Sequence, residues 1–267
     1  MPVLYDGLNT LVRYCLSVQQ GERVGIESCP LTAPLIEAVY QEIIRAGASP
    51  IVLLSLERLD EILLRDGNNE QICQSTRLQE VIAEEVDALL VIRAEENSSG
   101  LNAVNPARIL LRREATDNIY ARRKQARWTL TRYPTNALAQ NANMSLNDLE
   151  EFAFDACFLN DHNPIQCWQK LGTEQQRLID WLAGRKQVHI LSGGTDLTLS
   201  IEGRRFVNGD GRRNFPSGEF YTSPLDQSTT GIIHFDIPSL VYGHLVEGIR
   251  LVFQRGRVIE ASATPGQ

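Results

Sequence analysis

The fold class can be predicted from residues 23–56, RVGIESCPLTAPLIEAVYQEIIRAGASPIVLLSL. This stretch opens with Arg23 to Glu27, a short run that is typical of a strand. Apolar residues at helical spacing follow from Leu31 to Ala46, and Gly47 stands where a helix would end. Pro50 to Leu56 is more continuously apolar and predicts a second strand. Strand, helix and strand in this order predict a parallel sheet with right-handed crossover connections.

The rest of the chain divides into two parts of different character. Val86 to Ile92 and Arg127 to Tyr133 continue the parallel pattern. After Lys186 the strand-like segments are short, alternating or β-branched, and glycine-rich turns separate them, which is typical of an antiparallel sheet. We therefore predict an α/β N-terminal domain with a parallel, Rossmann-like sheet over residues 1–185. A β-rich α+β domain that is incomplete at its C-terminal end is expected over residues 186–267.

The charge balance and the lengths of the apolar runs argue against two classes of partner, nucleic acids and membranes. The 267 residues include 26 Lys and Arg against 33 Asp and Glu, a formal net charge of -7. A chain with this balance has no general attraction for the phosphates of a nucleic acid, so no nucleic-acid partner is expected. The N-terminus does not read as a signal peptide, and apolar runs such as Ile51 to Leu54 are too short to span a bilayer. We predict a cytoplasmic protein without a membrane partner.

The five cysteines are widely scattered and form no CxxC pair, which indicates reduced thiols. Cys157 and Cys167 flank His162 in the sequence and are the only cysteines that suggest a metal site. Because closely spaced paired ligands are missing, buried or half-buried thiols are the expected interpretation.

Three common local motifs of hydrolases and nucleotide-binding proteins are absent. The sequence contains no HExxH, GxSxG or P-loop, and Ser192 to Thr195 is predicted to be a turn between two strands. His234 and Asp236 occupy alternate positions of a strand, where an imidazole and a carboxylate on one face could hold a metal. The alternative is that Asp236 makes the turn at the strand exit.

Glu219 lies in the loop GRRNFPSGEFYTSP, residues 211–224. Pro216 restricts the backbone and Gly218 allows a tight turn, so this loop should hold the carboxylate more firmly than an ordinary loop does. A fixed carboxylate is a suitable ligand for Zn²⁺ or Co²⁺ in a hydrolytic site. The alternative is a solvated acid in a surface turn. Three preceding residues are candidates for shaping the rim of the site or for supporting the loop, with a purely structural role as the competing interpretation: Arg212, Arg213 and Asn214.

Five collinear stretches carry a resemblance to a known family. They are RWTLTRYPTNALAQNANMS (127–145), GTDLTLSIEGRRFVNGDGR (194–212), DGRRNFPSGEFYTSP (210–224), VEGIRL (246–251) and GRVIEASA (256–263). Together they resemble the M29 family of metal-dependent aminopeptidases, also called the aminopeptidase T or S type, and the resemblance covers essentially the whole chain. It implies hydrolysis of N-terminal residues from short peptides when the full metal site is present.

The resemblance also implies a metal ligand and partners. The glutamate of the PSGE motif is a ligand of a two-metal site, of the zinc or cobalt type, and that position falls on Glu219. The family's other ligands follow the GRVIEASA strand, so this chain is expected to be truncated at its C-terminal end. On that expectation the chain alone binds no complete pair of metal ions and is inactive. The implied partners are a short peptide substrate and a second copy of the chain. None of the histidines is carried over as a ligand: His162, His189, His234 and His244.

Two alternatives stay open at this point. One is a non-catalytic, truncated homologue. The other is an oxygenase-type relative of the same fold, which would use a single non-haem iron to cleave a dihydroxypyridine ring. The unbroken PSGE motif favours the peptidase over the oxygenase.

Overall fold

The computed structural model describes residues 9–74, 81, 84–123, 126–241 and 244–265. Near the start of the described residues lies a π-helical segment, Thr10–Cys15. A 3-10 turn, Pro30–Thr32, follows the first strand. The α-helices of the described residues are α1 (Ala33–Arg45), α2 (Glu57–Asp66), α3 (Asn69–Cys73), α4 (Pro106–Arg123), α5 (Asn136–Asn141), α6 (Leu146–Ala156) and α7 (Pro164–Leu182).

The strands fall into two compact units of the described chain. The first unit comprises the residues up to Leu171 together with Gly209–Gly218, and the second comprises Gly172–Asn208 together with the residues from Glu219 onward. The strands are β1 (Arg23–Ser28), β2 (Ser49–Leu54), β3 (Ala88–Arg93), β4 (Arg127–Arg132), β5 (Gln187–Ser192), β6 (Thr195–Ser200), β7 (Val207–Gly209), β8 (Asn214–Phe215), β9 (Glu219–Tyr221), β10 (Thr230–Phe235), β11 (Ser239–Val241), β12 (His244–Gln254) and β13 (Arg257–Pro265).

The first unit contains the predicted parallel sheet. Over the described residues its strand order is β2-β1-β3-β4-β8, and all four pairings are parallel. The helix α1 connects β1 to the adjacent strand β2, as the strand, helix and strand pattern predicted. The α/β class and the parallel sheet are therefore confirmed.

The core of this unit lies between the central strands and the helices that cover them. Val24 and Ile26 of β1 and Leu90 of β3 are fully buried. The apolar face of α1 packs into the same cluster with residues at helical spacing, namely Leu35, Ile36, Val39 and Ile43. Each such side chain contributes about 1.5 to 3 kcal/mol when it leaves water, so this face is the main reason for the helix to form.

The strand β2 forms where a second strand was predicted, but its apolar side chains are not fully covered. Ile51 is 37% and Leu54 is 58% exposed. Over the described residues β2 is the edge strand of the sheet and pairs only with β1. Apolar composition alone could not show this, because the exposure of a strand depends on what the rest of the fold places against it.

The second unit contains an antiparallel sheet, as predicted. Its order over the described residues is β11-β12-β10-β6-β5, and β13 pairs with β12. Ser192 pairs with Thr195, so Gly193 and Gly194 form the two-residue turn of the β5–β6 hairpin. The prediction that this segment is a turn between strands is confirmed. The short strands β7 and β9 pair with each other in a separate two-stranded sheet.

The segment Gly209–Gly218 belongs to the first unit although it follows the β5–β6 hairpin in the sequence. Its strand β8 pairs in parallel with β4, through Leu130 with Asn214 and Thr131 with Phe215. A strand of two residues has no periodicity to read, so the sequence could not predict this pairing. The domain boundary between residues 185 and 186 stays a prediction. No helix among the described residues is long and apolar enough to cross a membrane.

Candidate functional site

The loop that leads to Glu219 begins with a tight turn at Asp210. The Asp210 carboxylate accepts a hydrogen bond from the Arg212 backbone N–H at 3.2 Å and forms an ion pair with the Arg212 Nε at 3.1 Å. Between them Gly211 has φ +86°, a conformation that glycine adopts without a steric penalty. A Cβ atom at this position would lie 2.8 Å from Cε3 of Trp168, so a larger residue would also collide with the ring.

Tyr14 holds the start of the loop from the π-helical segment. Its hydroxyl donates a hydrogen bond to the Asp210 carbonyl at 2.9 Å, and the Arg212 guanidinium lies 4.9 Å from the centre of its ring. Burial raises the pKa of the Tyr14 hydroxyl, and the negative charge of Asp210 raises it further. The hydroxyl is therefore neutral at physiological pH, and it acts as a hydrogen-bond donor.

The strand β4 holds the middle of the loop through its backbone and side chains. Thr129 Oγ1 donates to the Arg212 carbonyl and the Leu130 N–H donates to the Arg213 carbonyl, both at 2.7 Å. The Arg213 guanidinium lies 5.3 Å from the centre of the Trp128 ring. Both arginines thus lie over aromatic rings of the first unit, which supports the interpretation that they stabilise the loop.

The aromatic ring of Phe215 completes the anchor. It is 4% exposed and its centre lies 5.4 Å from that of Trp168. The Trp168 indole N–H donates to the Cys157 carbonyl at 3.1 Å, and Phe158 packs edge-on against the same indole at 5.3 Å. The indole is therefore satisfied at its polar end and packed on its faces, so it is a rigid surface on which the loop rests.

The turn before Glu219 is closed by Gly218. This glycine has φ +101°, and its N–H donates to the Gly209 carbonyl at 3.1 Å. The backbone on the N-terminal side of Glu219 is therefore held by a hydrogen bond to the beginning of the same loop.

Glu219 is the first residue of β9, and its side chain is exposed. Its carbonyl accepts a hydrogen bond from Nε2 of Gln175, a side chain of α7 that is 4% exposed. Three residues further on, Thr222 Oγ1 donates to the Arg205 carbonyl at 2.8 Å, and Phe220, the residue next to Glu219, packs against Phe206 with ring centres 6.1 Å apart. The backbone of Glu219 is thus fixed on both sides while its carboxylate is left accessible.

The donor set of the described residues does not fit a metal centre. Across the ranges that the structure describes, no three side chains from His, Cys, Asp and Glu lie close enough together to hold an ion. The strand β10 ends at Phe235, so Asp236 lies beyond it and not in register with His234. A different pair does form: His189 Nε2 lies 2.8 Å from Asp196 Oδ1 across the β5–β6 hairpin, with both side chains exposed.

Cys157 is buried and Cys167 is half-buried, as predicted for these two thiols, whereas Cys73 is exposed. All five are free thiols, and Cys15 and Cys157 are buried. Burial raises the pKa of Cys157 to about 12 and raises that of Cys15 as well. These two thiols are therefore protonated at neutral pH and are not nucleophiles.

Sequence reasoning missed two amide side chains that support the site region in the second unit. One is Gln175, which binds the Glu219 carbonyl. The other is Asn208 of β7, whose Nδ2 donates to the Gly172 carbonyl of α7 at 2.8 Å. The only sequence feature that pointed to Gln175 is its place on α7, the helix that also carries the buried Trp168. Glutamine on a helix is most often exposed to solvent, so this feature was not enough to single it out.

Comparisons with known proteins agree with the resemblance that the sequence motifs suggested. The family described as "Thermophilic metalloprotease (M29)" matches residues 8–267. Aminopeptidase 2 of Geobacillus stearothermophilus is 24% identical over 283 aligned residues, which cover 96% of this chain and 68% of that protein. Aminopeptidase PepS of Streptococcus thermophilus is 22% identical over 293 aligned residues, which cover 96% of this chain and 69% of that protein.

A solved structure shares the fold. The structure of wild-type AmpT from Thermus thermophilus matches with a TM-score of 0.83 at 20% identity, over 98% of this chain and 71% of that chain. The chain therefore spans about two thirds of the length of these relatives. Because the family match extends over nearly the whole sequence, the protein belongs to the M29 family of metalloproteases.

Proposed function

We propose that this chain is the part of a metal-dependent aminopeptidase that frames the active site and supplies one metal ligand, Glu219. The substrates would be short peptides, from which the N-terminal residue is hydrolysed. The observation that carries the proposal is the family match over residues 8–267, which includes the whole loop from Asp210 to Glu219. A family of metalloproteases implies a divalent ion, and we propose zinc or cobalt because both accept carboxylate oxygen.

The anchoring of the loop supports this role for Glu219. A ligand must return to the same position each time the metal binds, and ligands on a mobile loop lose affinity because ordering them costs entropy. Here the carbonyl of Glu219 is bonded to Gln175, and the N–H of the preceding Gly218 is bonded to Gly209. The exposed carboxylate is thus carried by a backbone that binding does not need to order.

A single carboxylate cannot hold two cations close together, because their mutual repulsion must be offset by several anionic or imidazole donors. The described residues do not assemble such a set. In the proposal the remaining donors come from polypeptide outside these 267 residues, and the relatives' greater length supports this. A cytoplasmic location and a homodimer belong to the same proposal.

The test uses the gene product as the cell makes it, purified with any further polypeptide that accompanies it. Hydrolysis of leucyl, arginyl and aspartyl p-nitroanilides is measured with and without added Zn²⁺ or Co²⁺, and bound metal is measured by mass spectrometry. Glu219→Gln should lower kcat/KM by about 100-fold or more and lower the metal content, since it removes a charged ligand. Glu202→Gln is the matched control, because Glu202 is an exposed acid of the same unit that pairs with Lys186.

Two results would contradict the proposal. Unchanged turnover and metal content in Glu219→Gln would remove Glu219 from the metal site. A wild-type protein that contains no metal and releases no amino acid would favour the non-catalytic homologue.

A further inference from the structure

The antiparallel sheet of the second unit has two faces of different composition. Residues that pair directly across strands share a face, and so do alternate residues of one strand. By the observed register, one face carries two ion pairs, His189 with Asp196 and Arg250 with Glu260. All four of these side chains are more than a third exposed, so water reaches this polar face.

The opposite face, termed the apolar face, is built from aliphatic and aromatic side chains. Ile190 pairs with Leu197 across the β5–β6 hairpin, and Leu251 pairs with Ile233 of β10 and with Ala261 of β13. Pairing and alternation place further uncharged residues on the same face: Val188, Leu199, Phe235, Ile249, Phe253, Val258 and Ile259. An antiparallel sheet divided in this way packs its apolar face against a second layer of structure.

The described residues do not supply that second layer. Four side chains of the apolar face are more than a third exposed: Ile190 39%, Phe235 42%, Val258 48% and Ile259 61%. Both clusters of buried apolar residues in the described part of the chain lie in the first unit. A contiguous exposed apolar patch of this kind marks a surface that binds another polypeptide.

The strand β13 leaves an edge of the same sheet open. Across the described ranges its nine residues, Arg257–Pro265, pair only with β12. An edge strand presents unpaired backbone N–H and C=O groups, and a long uncovered edge promotes aggregation. Because β13 also carries Val258 and Ile259 of the apolar face, one partner can cover the face and the edge together.

The lengths of the relatives indicate what covers this surface. The alignment spans 96% of this chain but 68% of Aminopeptidase 2, and the structural match spans 98% of this chain but 71% of AmpT. Roughly a third of each relative therefore has no counterpart in these 267 residues. A layer that completes a domain must be present whenever the domain folds. Part of the same protein meets this requirement at any concentration, whereas a second copy of the chain does not.

We infer that the apolar face and the open edge of β13 are the docking surface for the further polypeptide, through an apolar side of that polypeptide. This inference rests on the proposed function, in which the same polypeptide brings the remaining metal ligands. Glu219 belongs to the second unit as well. Docking on this sheet would therefore hold Glu219 and the remaining ligands in one folded unit.

The first experiment measures the accessibility of each face. Ile259→Cys places a thiol on the apolar face, and Ser262→Cys is the matched control, an exposed position of the polar face on the same strand. N-ethylmaleimide is added to the 267-residue chain and to the complete gene product, and mass spectrometry of peptides locates each label. In the complete product Ile259→Cys should be labelled at least about tenfold more slowly than in the 267-residue chain, and Ser262→Cys equally fast in both.

Equal labelling of Ile259→Cys in the two proteins would overturn the inference, as would a gene product that contains no further polypeptide. Slow labelling in the 267-residue chain itself, at a rate that depends on protein concentration, would assign the surface to a second copy and also overturn it. Labelling requires neither metal nor turnover. Protection of Ile259→Cys in a protein that releases no amino acid would support docking and contradict the proposed function, and an active protein without protection would contradict docking alone.

The second experiment measures thermal stability. Ile259→Asp places a charge beneath the docked polypeptide, so it should lower the thermal midpoint of the complete product by about 5 °C or more. In the 267-residue chain the side chain is exposed, and the same change should shift the midpoint by less than about 2 °C. Ser262→Asp is the control and should leave both midpoints within about 2 °C of wild type. Equal shifts of the two proteins by Ile259→Asp would contradict docking on this face.

Discussion

The indole ring of Trp168 lies directly against the backbone of Gly211, so closely that a Cβ atom on this glycine would be 2.8 Å from Cε3 of the ring. Gly211 also has φ +86°, so two independent constraints exclude a side chain there. The contact joins the segment Gly209–Gly218 to the rest of the first unit, whose core contains Trp168. The segment that precedes the candidate ligand Glu219 is therefore held by a packing contact eight residues earlier in the chain.

Replacing this glycine tests the contact. Gly211→Ala should destabilise the protein by about 2 to 4 kcal/mol, because the backbone strain of a positive φ is added to the collision with the indole. Gly21→Ala is the control: Gly21 has φ +84°, but nothing lies within 4 Å of its Cβ position. Only about 1 kcal/mol of strain is expected there. Urea unfolding measures both values, and equal losses in the two variants would show that Trp168 does not constrain the loop.

The hydrogen bond from Tyr14 to the Asp210 carbonyl gives a second prediction. Tyr14→Phe removes the donor and leaves the ring beneath Arg212, so the expected loss in the free energy of unfolding is about 1 kcal/mol. Tyr40→Phe serves as the control because Tyr40 is 42% exposed on α1, and a change within about 0.5 kcal/mol is expected there. A Tyr14→Phe protein as stable as wild type would mean that water replaces the lost donor.

Thiol accessibility gives a third prediction. Cys15 and Cys157 are buried and their pKa values are raised by burial, so they should react with Ellman's reagent only when the protein unfolds. Cys73 is exposed and should react first in the folded protein. A time course with and without denaturant measures the two classes. The Cys73→Ser variant should lose the fastest phase, and rapid reaction of all thiols in the folded state would contradict the buried positions.

The same thiols predict how stability changes at alkaline pH. The pKa of Cys157 is about 12 in the folded protein against 9.0 for an unperturbed thiol, so above pH 9 the unfolded chain loses this proton while the folded chain keeps it. The stabilising contribution is complete below pH 9 and is lost as the pH rises from 9 towards 12. The raised pKa values of Cys15, Tyr14 and Tyr133 act in the same direction.

Urea unfolding at a series of pH values from 7 upward checks this prediction. The free energy of unfolding should be nearly constant up to about pH 8.5 and then fall. Cys157→Ala should be less stable at neutral pH, because a buried side chain is truncated, but its decline above pH 9 should be shallower. An identical decline in both proteins would mean that Cys157 contributes nothing to the alkaline loss.

Local patterns were enough to predict much of the fold. The helix α1 and the strands β1, β3 and β4 could be predicted from the spacing of their apolar residues. Buried residues recur along a helix or a strand at the spacing of its backbone, so the sequence shows the same pattern. The cap of α6 is also a local feature, since Ser145 accepts from the Asp148 N–H at 3.1 Å, an interaction within one turn. The family resemblance rested on five ordered stretches, and the family match over residues 8–267 agrees with it.

Contacts between residues far apart in the sequence could be known only from the folded structure. The exposure of β2, the pairing of β8 with β4, and the contact of Trp168 with Gly211 all depend on which elements meet in space. The accessible carboxylate of Glu219 on an anchored backbone is a result of the same kind, since its support comes from Gln175 in a different element. The types of element and the family could be predicted without a structure, because both follow from local periodicity and ordered motifs. The surroundings of each residue could not be predicted in this way. Burial and anchoring result from packing between distant segments, and the local spacing of residues contains no information about it.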